Sequence, residues 1–401
     1  MLTTIRGWVG ISRPAASKCF RTSRSLLAAL LLALVLLGCD PKLPNYPPAY
    51  REFAYVTNGA ADTVSVIDLL HFRVEKNIPV GKSPTGVAVN PVKNEVYVVN
   101  TDSANVSVID AETGTVTHTI GVHGHPYFID VSQDGKRAYV ANSGSANVSV
   151  LDLEQHRVLA TIGVGARPDV ARVSPDGATV VVSNRDGNSV SIIDAKKLVV
   201  RATIPLCQAP EQIAIVPYAP KAFVSCSGSN QVAAIDYEKG VLLTLLDVGK
   251  TPISLTLKPD GGQLFVHNFD AQSISDINTT TNEVGGTYLI GTNPVRGVVT
   301  SDNSLLYVAN FGSDSVAVFS IENGRVVYSV PVGAKPDAMA LTPNQTYLLV
   351  CDTEAGEVAV VRTRVGAGAG IPPVLLTMIP VGREPRQIAI KNFMLRKPPR
   401  P

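Results

Sequence analysis

Apolar and polar residues alternate along this chain in short runs of five or six, and the runs return on a strict beat. Tyr97 to Asn100 followed by Val106 to Asp110 comes back as Tyr139 to Asn142 with Val148 to Asp152, and Tyr55 to Asn58 with Val64 to Asp68 opens the series. The residue closing the first run stands at Asn58, Asn100, Asn142, Asn184, Cys226, Asn268, Asn310 and Asp352, always 42 positions apart. A second phrase, Val-Gly-x-x-Pro, keeps time with it through Pro84, Pro126, Pro168, Pro210, Pro252, Pro294 and Pro336. Pro385 arrives seven residues late, behind the Gly-rich insertion Val365 to Gly370. A fixed period of this length means one supersecondary unit copied many times.

Each unit holds four runs with period-two alternation and β-branched residues, separated by turn signals, which predicts antiparallel strands. In the unit of Pro126 the runs are Tyr127 to Val131, Arg137 to Ala141, Val148 to Asp152 and Val158 to Ile162. Asp134-Gly135, Asp176-Gly177 and Asp260-Gly261 supply the positive φ of tight hairpins. No segment carries a helical period. A helix-free, four-stranded unit repeated in series predicts an all-β fold, a single β-propeller over residues 53–392. Eight copies of each phrase predict eight blades, with seven and a stray unit as the alternative. The array begins with second-strand sequence at Phe53 to Thr57 and ends with first-strand sequence at Gln387 to Ile390, so a three-plus-one closure is expected to remove the open sheet edges.

Tyr-Val-x-Asn, Val-Ser-Val-Ile-Asp and Val-Gly-x-x-Pro together resemble the YVTN β-propeller repeats of bacterial and archaeal surface proteins. Ahead of the array, residues 1–38 carry Arg6, Arg13, Lys18, Arg21 and Arg24, no acid, and an apolar run from Leu26 to Leu37, the layout of a signal peptide. The run ends Leu36-Leu37-Gly38-Cys39, which resembles a lipoprotein lipobox and implies lipidation of Cys39. Residues 39–52, rich in proline, then read as an extended tether, and residues 393–401 as a basic tail. The expected location is extracytoplasmic, anchored by lipid to the bacterial envelope membrane on the periplasmic side or at the cell surface.

Of 35 Lys and Arg, five leave with the leader, against 33 Asp and Glu, so the mature chain carries a charge of about −3. No basic field remains to recruit nucleic acid. The Asn column is expected to form turns, its side chains capping nearby backbone amides.

Chemistry is sought where one copy departs from the others. Cys207 replaces the Gly of one Val-Gly-x-x-Pro and Cys226 replaces the Asn of the same unit, at the start and end of neighbouring antiparallel strands. In an exported protein they predict a disulfide. Cys351 is expected to be a free, buried thiol and His267 a satisfied core residue. His123 and His125 occupy another loop beside Tyr127 and stand as weak candidates for a metal or for haem iron. Residues flanking the loop prolines, among them Tyr127, Arg167, Asp169, Glu211, Lys335, Asp337 and Arg386, predict a charged rim at one end of the central channel, the place where such a fold binds.

The sequence has no phosphate loop, nucleophile elbow, His-Glu-x-x-His or Cys-x-x-Cys-His motif. The leading expectation is therefore a monomeric, non-catalytic binding or scaffolding propeller without cofactor, presenting its loops to an envelope protein or polymer. One alternative, by resemblance to the eight-bladed haem domain of cytochrome-type nitrite reductases, is a haem-binding or haem-maturation propeller with His123 or His125 as axial ligand. Another is a lactonase-like hydrolase using Asp169, Arg167, Glu211 and His125.

Overall fold

The computed structural model describes residues 46–363 and 372–396; the leader, residues 39–45 of the tether with Cys39, the Gly-rich insertion and residues 397–401 of the tail lie outside the described residues. Thirty-two strands pair into eight four-stranded antiparallel sheets, and no helix occurs among the described residues. The sheets are the blades of an eight-bladed propeller. In the blade that starts at Pro126 the strands are Pro126–Val131, Arg137–Asn142, Asn147–Asp152 and Arg157–Gly163, running from the channel outward.

The ends of the array close the ring as the sequence predicts. One sheet has the order Arg73–Pro79, Thr63–Asp68, Tyr50–Asn58, Pro385–Met394, so the last strand of the chain is the innermost strand of the first blade. Its register runs from Tyr50 opposite Met394 to Asn58 opposite Pro385. The sheet thereby reaches past both expected borders, taking in Tyr50 to Glu52 from the segment read as tether and Phe393 and Met394 from the segment read as tail. The physical reason is packing: Phe393 is buried, with its ring 5.9 Å from that of Phe53. Eight blades, rather than seven, result.

The second and third strands are covered on both faces by adjacent blades; Val96 to Val99 and Val180 to Val182 are fully buried. The outermost strands are mostly exposed; in Arg73–Pro79 only Ile78 is buried. Burying both faces explains why the middle strands read as nearly continuous apolar runs.

Two repeated devices shape the channel end. Each inner strand opens with a bulge: Pro126 pairs with Asn142, but Phe128 already pairs with Ala141. Just before each proline stands a residue in left-handed backbone conformation, Ser83, His125, Arg167, Ala209, Thr251, Asn293, Lys335 and Glu384, with φ between 50° and 56°. For a non-glycine residue that conformation costs about 1 kcal/mol. The carbonyl it exposes accepts a hydrogen bond from the amide after the Asn column, as in Ser143 N to His125 O at 3.0 Å and Arg185 N to Arg167 O at 2.9 Å. The cost is offset by a turn-to-turn bond made in every blade.

The Asn column works differently from the expectation. Its amide nitrogens, except that of Asn310, which donates to Ile290 O at 3.3 Å, donate to side chains five and seven residues on, Asn184 to Ser189 and Ser191 at 3.1 and 3.0 Å, and Asn268 to Ser273 and Ser275 at 3.2 and 2.9 Å. They staple the second strand to the third instead of capping backbone amides. They also explain the glycine of Val-Gly-x-x-Pro, since a Cβ on Gly165 would stand 2.6 Å from Asn184 and one on Gly249 2.6 Å from Asn268. The two columns pack against each other wherever both occur, although the blade of Pro126 has His123 in the glycine position and keeps Asn142. In the blade of Pro210 both partners change together, and Cys207 and Cys226 are disulfide-bonded with their Cα atoms 5.8 Å apart.

Candidate ligand-binding site at the channel mouth

The bulges turn the residues after each proline toward the centre of the ring, and the loops after the Asn column come to the same end. Together they enclose a cavity of about 440 Å³ lined by Tyr127, Arg167, Asp169, Arg185, Glu211, Ile253, Phe269, Val295, Arg296, Phe311 and Asp337, among others. A second cavity of about 280 Å³ shares Tyr127, Gln212, Arg296 and Asp337 and adds Glu384, Arg386 and Gln387. Concave polar sites of this size with an apolar wall suit small ligands or a protruding group of a larger one.

Two ion pairs organise the charges. Arg185 Nε donates to Glu211 Oε1 at 2.9 Å, and Ser227 Oγ donates to the same oxygen at 2.6 Å. Arg296 Nε donates to Asp337 Oδ1 at 2.9 Å, with both side chains about a third exposed to the channel. Each guanidinium is held through Nε, and its planar Nη fork makes no hydrogen bond to any described residue, which leaves it available to another group. Asp169 is different. It makes no hydrogen bond or ion pair with any described residue, and burial, reinforced by the charge of Glu211, pushes its carboxyl up to about 6. Phe269 and Phe311, 6.4 Å apart, stand with Ile253 and Val295 on the other side of the cavity.

Of the residues singled out from the sequence, Tyr127, Arg167, Asp169, Glu211, Asp337 and Arg386 line the two cavities. His123, His125 and Lys335 do not. His123 is exposed, and its Nε2 lies 3.0 Å from Thr161 Oγ1, near the outer strand of its blade. The ring of His125 packs over Gly144. Lys335 pairs with Glu354 at 2.9 Å and lies 5.9 Å from the Phe311 ring. Among the described residues no three His, Cys, Asp or Glu side chains gather closely enough to hold a metal ion.

Arg185, Arg296, Gln212, Phe269 and Phe311 were not foreseen. They belong to two columns, the second residue after the proline and the first after the Asn, which vary strongly among otherwise uniform repeats. That variability was the available signal.

Behind the mouth, Cys351 is buried and free, as expected. His267 is fully buried but only half satisfied: Nε2 lies 2.9 Å from Thr256 Oγ1, and Nδ1 has no partner. Thr256 Oγ1 in turn donates to Gly297 O at 3.1 Å, which makes Nε2 the protonated nitrogen. Burial pulls this imidazole down to about 3, so it is neutral.

Comparison with known proteins agrees with this architecture. The family model of YNCE-like beta-propellers matches residues 91–174, and that of the lactonase 7-bladed beta-propellers matches residues 291–369. A search of curated proteins finds no significant match. Among solved structures, hydrazine synthase of Kuenenia stuttgartiensis is 21% identical with a TM-score of 0.58, covering 71% of this chain and 96% of its own. The dihydro-heme d1 dehydrogenase NirN in complex with DHE is 14% identical with a TM-score of 0.70, covering 88% of this chain and 78% of its own. At these identities the likeness is one of fold, and the fold it shows is the β-propeller.

Proposed function

We propose that this chain is a non-catalytic binding propeller held at the outer face of a bacterial membrane by a lipid on Cys39, with the channel mouth as its recognition site for an envelope protein or polymer. The observation that carries the reading is the pair of arginines fixed through Nε by Glu211 and Asp337 in the lining of a cavity that also holds Phe269, Phe311, Ile253 and Val295. Ion pairs that lock an arginine while leaving its fork open suit recognition, because little side-chain freedom remains to be lost on binding. Affinity capture from solubilised envelope tests it. The wild-type chain recovers a partner that Arg296→Gln releases at the same salt; recovery of the same partners by both sinks the reading. Cys39→Ala is expected to move the protein from the membrane to the soluble fraction.

A lactonase-like hydrolase is the second reading, favoured by the family match over residues 291–369, which include Arg296 and Asp337. Lactone hydrolysis that requires a divalent metal and disappears in Asp337→Asn would replace the binding reading. A haem reading draws on the fold likeness to NirN, with His123 or His125 as axial ligand although neither lines the two cavities; a Soret band on the purified chain that is lost on changing these histidines to Ala would support it.

A further inference from the structure

The mouth displays unmatched groups of both signs, placed apart. On the blade of Pro168, Asp169 lies in the cavity wall with no hydrogen bond or ion pair to any described residue, and the charges of Arg185, Arg167 and Arg296 offset only part of the effect of burial and of Glu211. Three blades further round the ring, the Nη fork of Arg296 makes no hydrogen bond to any described residue. Next to it lie Phe269, Phe311, Ile253 and Val295. Three arginines and three carboxylates line this cavity, so it has no net charge to favour a simple anion or cation.

Building on the binding reading, we propose that the cavity takes a zwitterion, its ammonium on Asp169, its carboxylate on the Nη fork of Arg296 and its apolar body against Phe269 and Phe311, as a free amino acid or the two ends of a short peptide would supply. A carboxylate without a partner in a partly dehydrated wall is costly to maintain, and an ammonium group removes that cost. The arginine fork accepts a carboxylate in two-point fashion, which a lysine cannot do. A neutral ligand carrying both charges matches a neutral site carrying both.

The test uses the detergent-solubilised full chain and the dipeptide Gly-Phe as probe, with N-acetyl-Gly-Phe and Gly-Phe-amide as its two blocked forms, followed by calorimetry. The free dipeptide is expected to bind at least tenfold more tightly than either blocked form. Asp169→Asn removes the preference for a free amine and leaves the preference for a free carboxylate; Arg296→Gln does the reverse. Arg296→Lys, which retains the charge opposite Asp337, guards against a folding failure and also loses the carboxylate preference. Equal binding of free and blocked forms overturns the proposal. So does the absence of any binding by all three while Arg296→Gln still releases an envelope partner, an outcome that keeps the binding reading and discards only the ligand class. If capture fails as well, both fall.

Discussion

The blades of Pro210 and Pro336 solve the same local problem in opposite ways. In most blades a glycine makes room for an asparagine whose amide staples two strands. The blade of Pro210 replaces the pair with a disulfide between Cys207 and Cys226. The blade of Pro336 keeps Gly333 but places Asp352 where the asparagine belongs, fully buried and with no side-chain donor on its carboxylate, which has only the backbone amides of Gly333 and Ala359 for company. Residues five and seven further on are Glu357 and Ala359, where most stapled blades have Ser, Thr or Asn at the first and Ser at the second, so the carboxylate meets no donor side chain. Burial pushes Asp352 up to about 7, Glu357 adds to the rise, and the amides of Gly333 and Ala359 offset it in part. A position defined by shape thus tolerates a covalent bond in one copy and a buried acid without a side-chain partner in another, because the other copies hold the ring in register.

This contrast can be broken in four ways. Cys226→Ser is expected to cost about 3 kcal/mol in the chain-entropy account of a loop of this length, measured by denaturant unfolding, and to make stability insensitive to reductant. The double change C207G/C226N restores the repeat's usual pair, with Gln231 and Ala233 in the staple positions, and should recover part of that loss. No recovery would mean that the disulfide does more than fill the Gly-Asn slot.

Asp352→Asn should stabilise by roughly 2 kcal/mol at pH 8 and by almost nothing near pH 4. The sign follows from a folded-state pKa raised from the usual value near 4 to about 7. The protonated acid is tolerated below both values, and stability is lost as pH rises through the folded-state value. Unfolding curves of wild type and variant that stay parallel from pH 4 to pH 8 would refute a buried, titrating Asp352.

Gly165→Ala places a Cβ 2.6 Å from Asn184 and should cost about 1–2 kcal/mol. Adding Asn184→Ala should return much of the clash while losing the staple, which thermal melting of the single and double variants would separate.

The double change G165C/N184C should form a new disulfide, since the same slot holds one in the blade of Pro210. Thiol titration under denaturing conditions reads it directly. Two free thiols would show that the blade of Pro210 has a backbone of its own. The effect on stability is expected to be the smallest of the four, because strain in a transplanted bridge often consumes the gain.

Much of the fold was legible from particular residues. The 42-residue spacing of Asn58 to Asp352 dictated the blade, the Asp-Gly pairs dictated the hairpins, and the offset between Phe53 and Gln387 dictated the closing sheet, later seen in full from Tyr50 to Met394. Of the site, the positions touching the prolines were legible and most of them line the cavities. Arg296 and Arg185 were not, because the bulge after each proline and the loop after each Asn redirect side chains in a way that alternation alone does not reveal. His123 and His125 were noticed for their chemistry, yet the turn carries both outside the mouth.

By itself the sequence determined the repeat, its strands, its number of blades and the cysteine pair, because those follow from local alternation and from coincident substitutions at one beat. Only the tertiary structure decided which charges face one another, why glycine accompanies asparagine, and that Asp169 stands alone opposite an open arginine fork. Those outcomes depend on residues from different blades meeting at the ring centre, and no spacing along one strand encodes the distance across it.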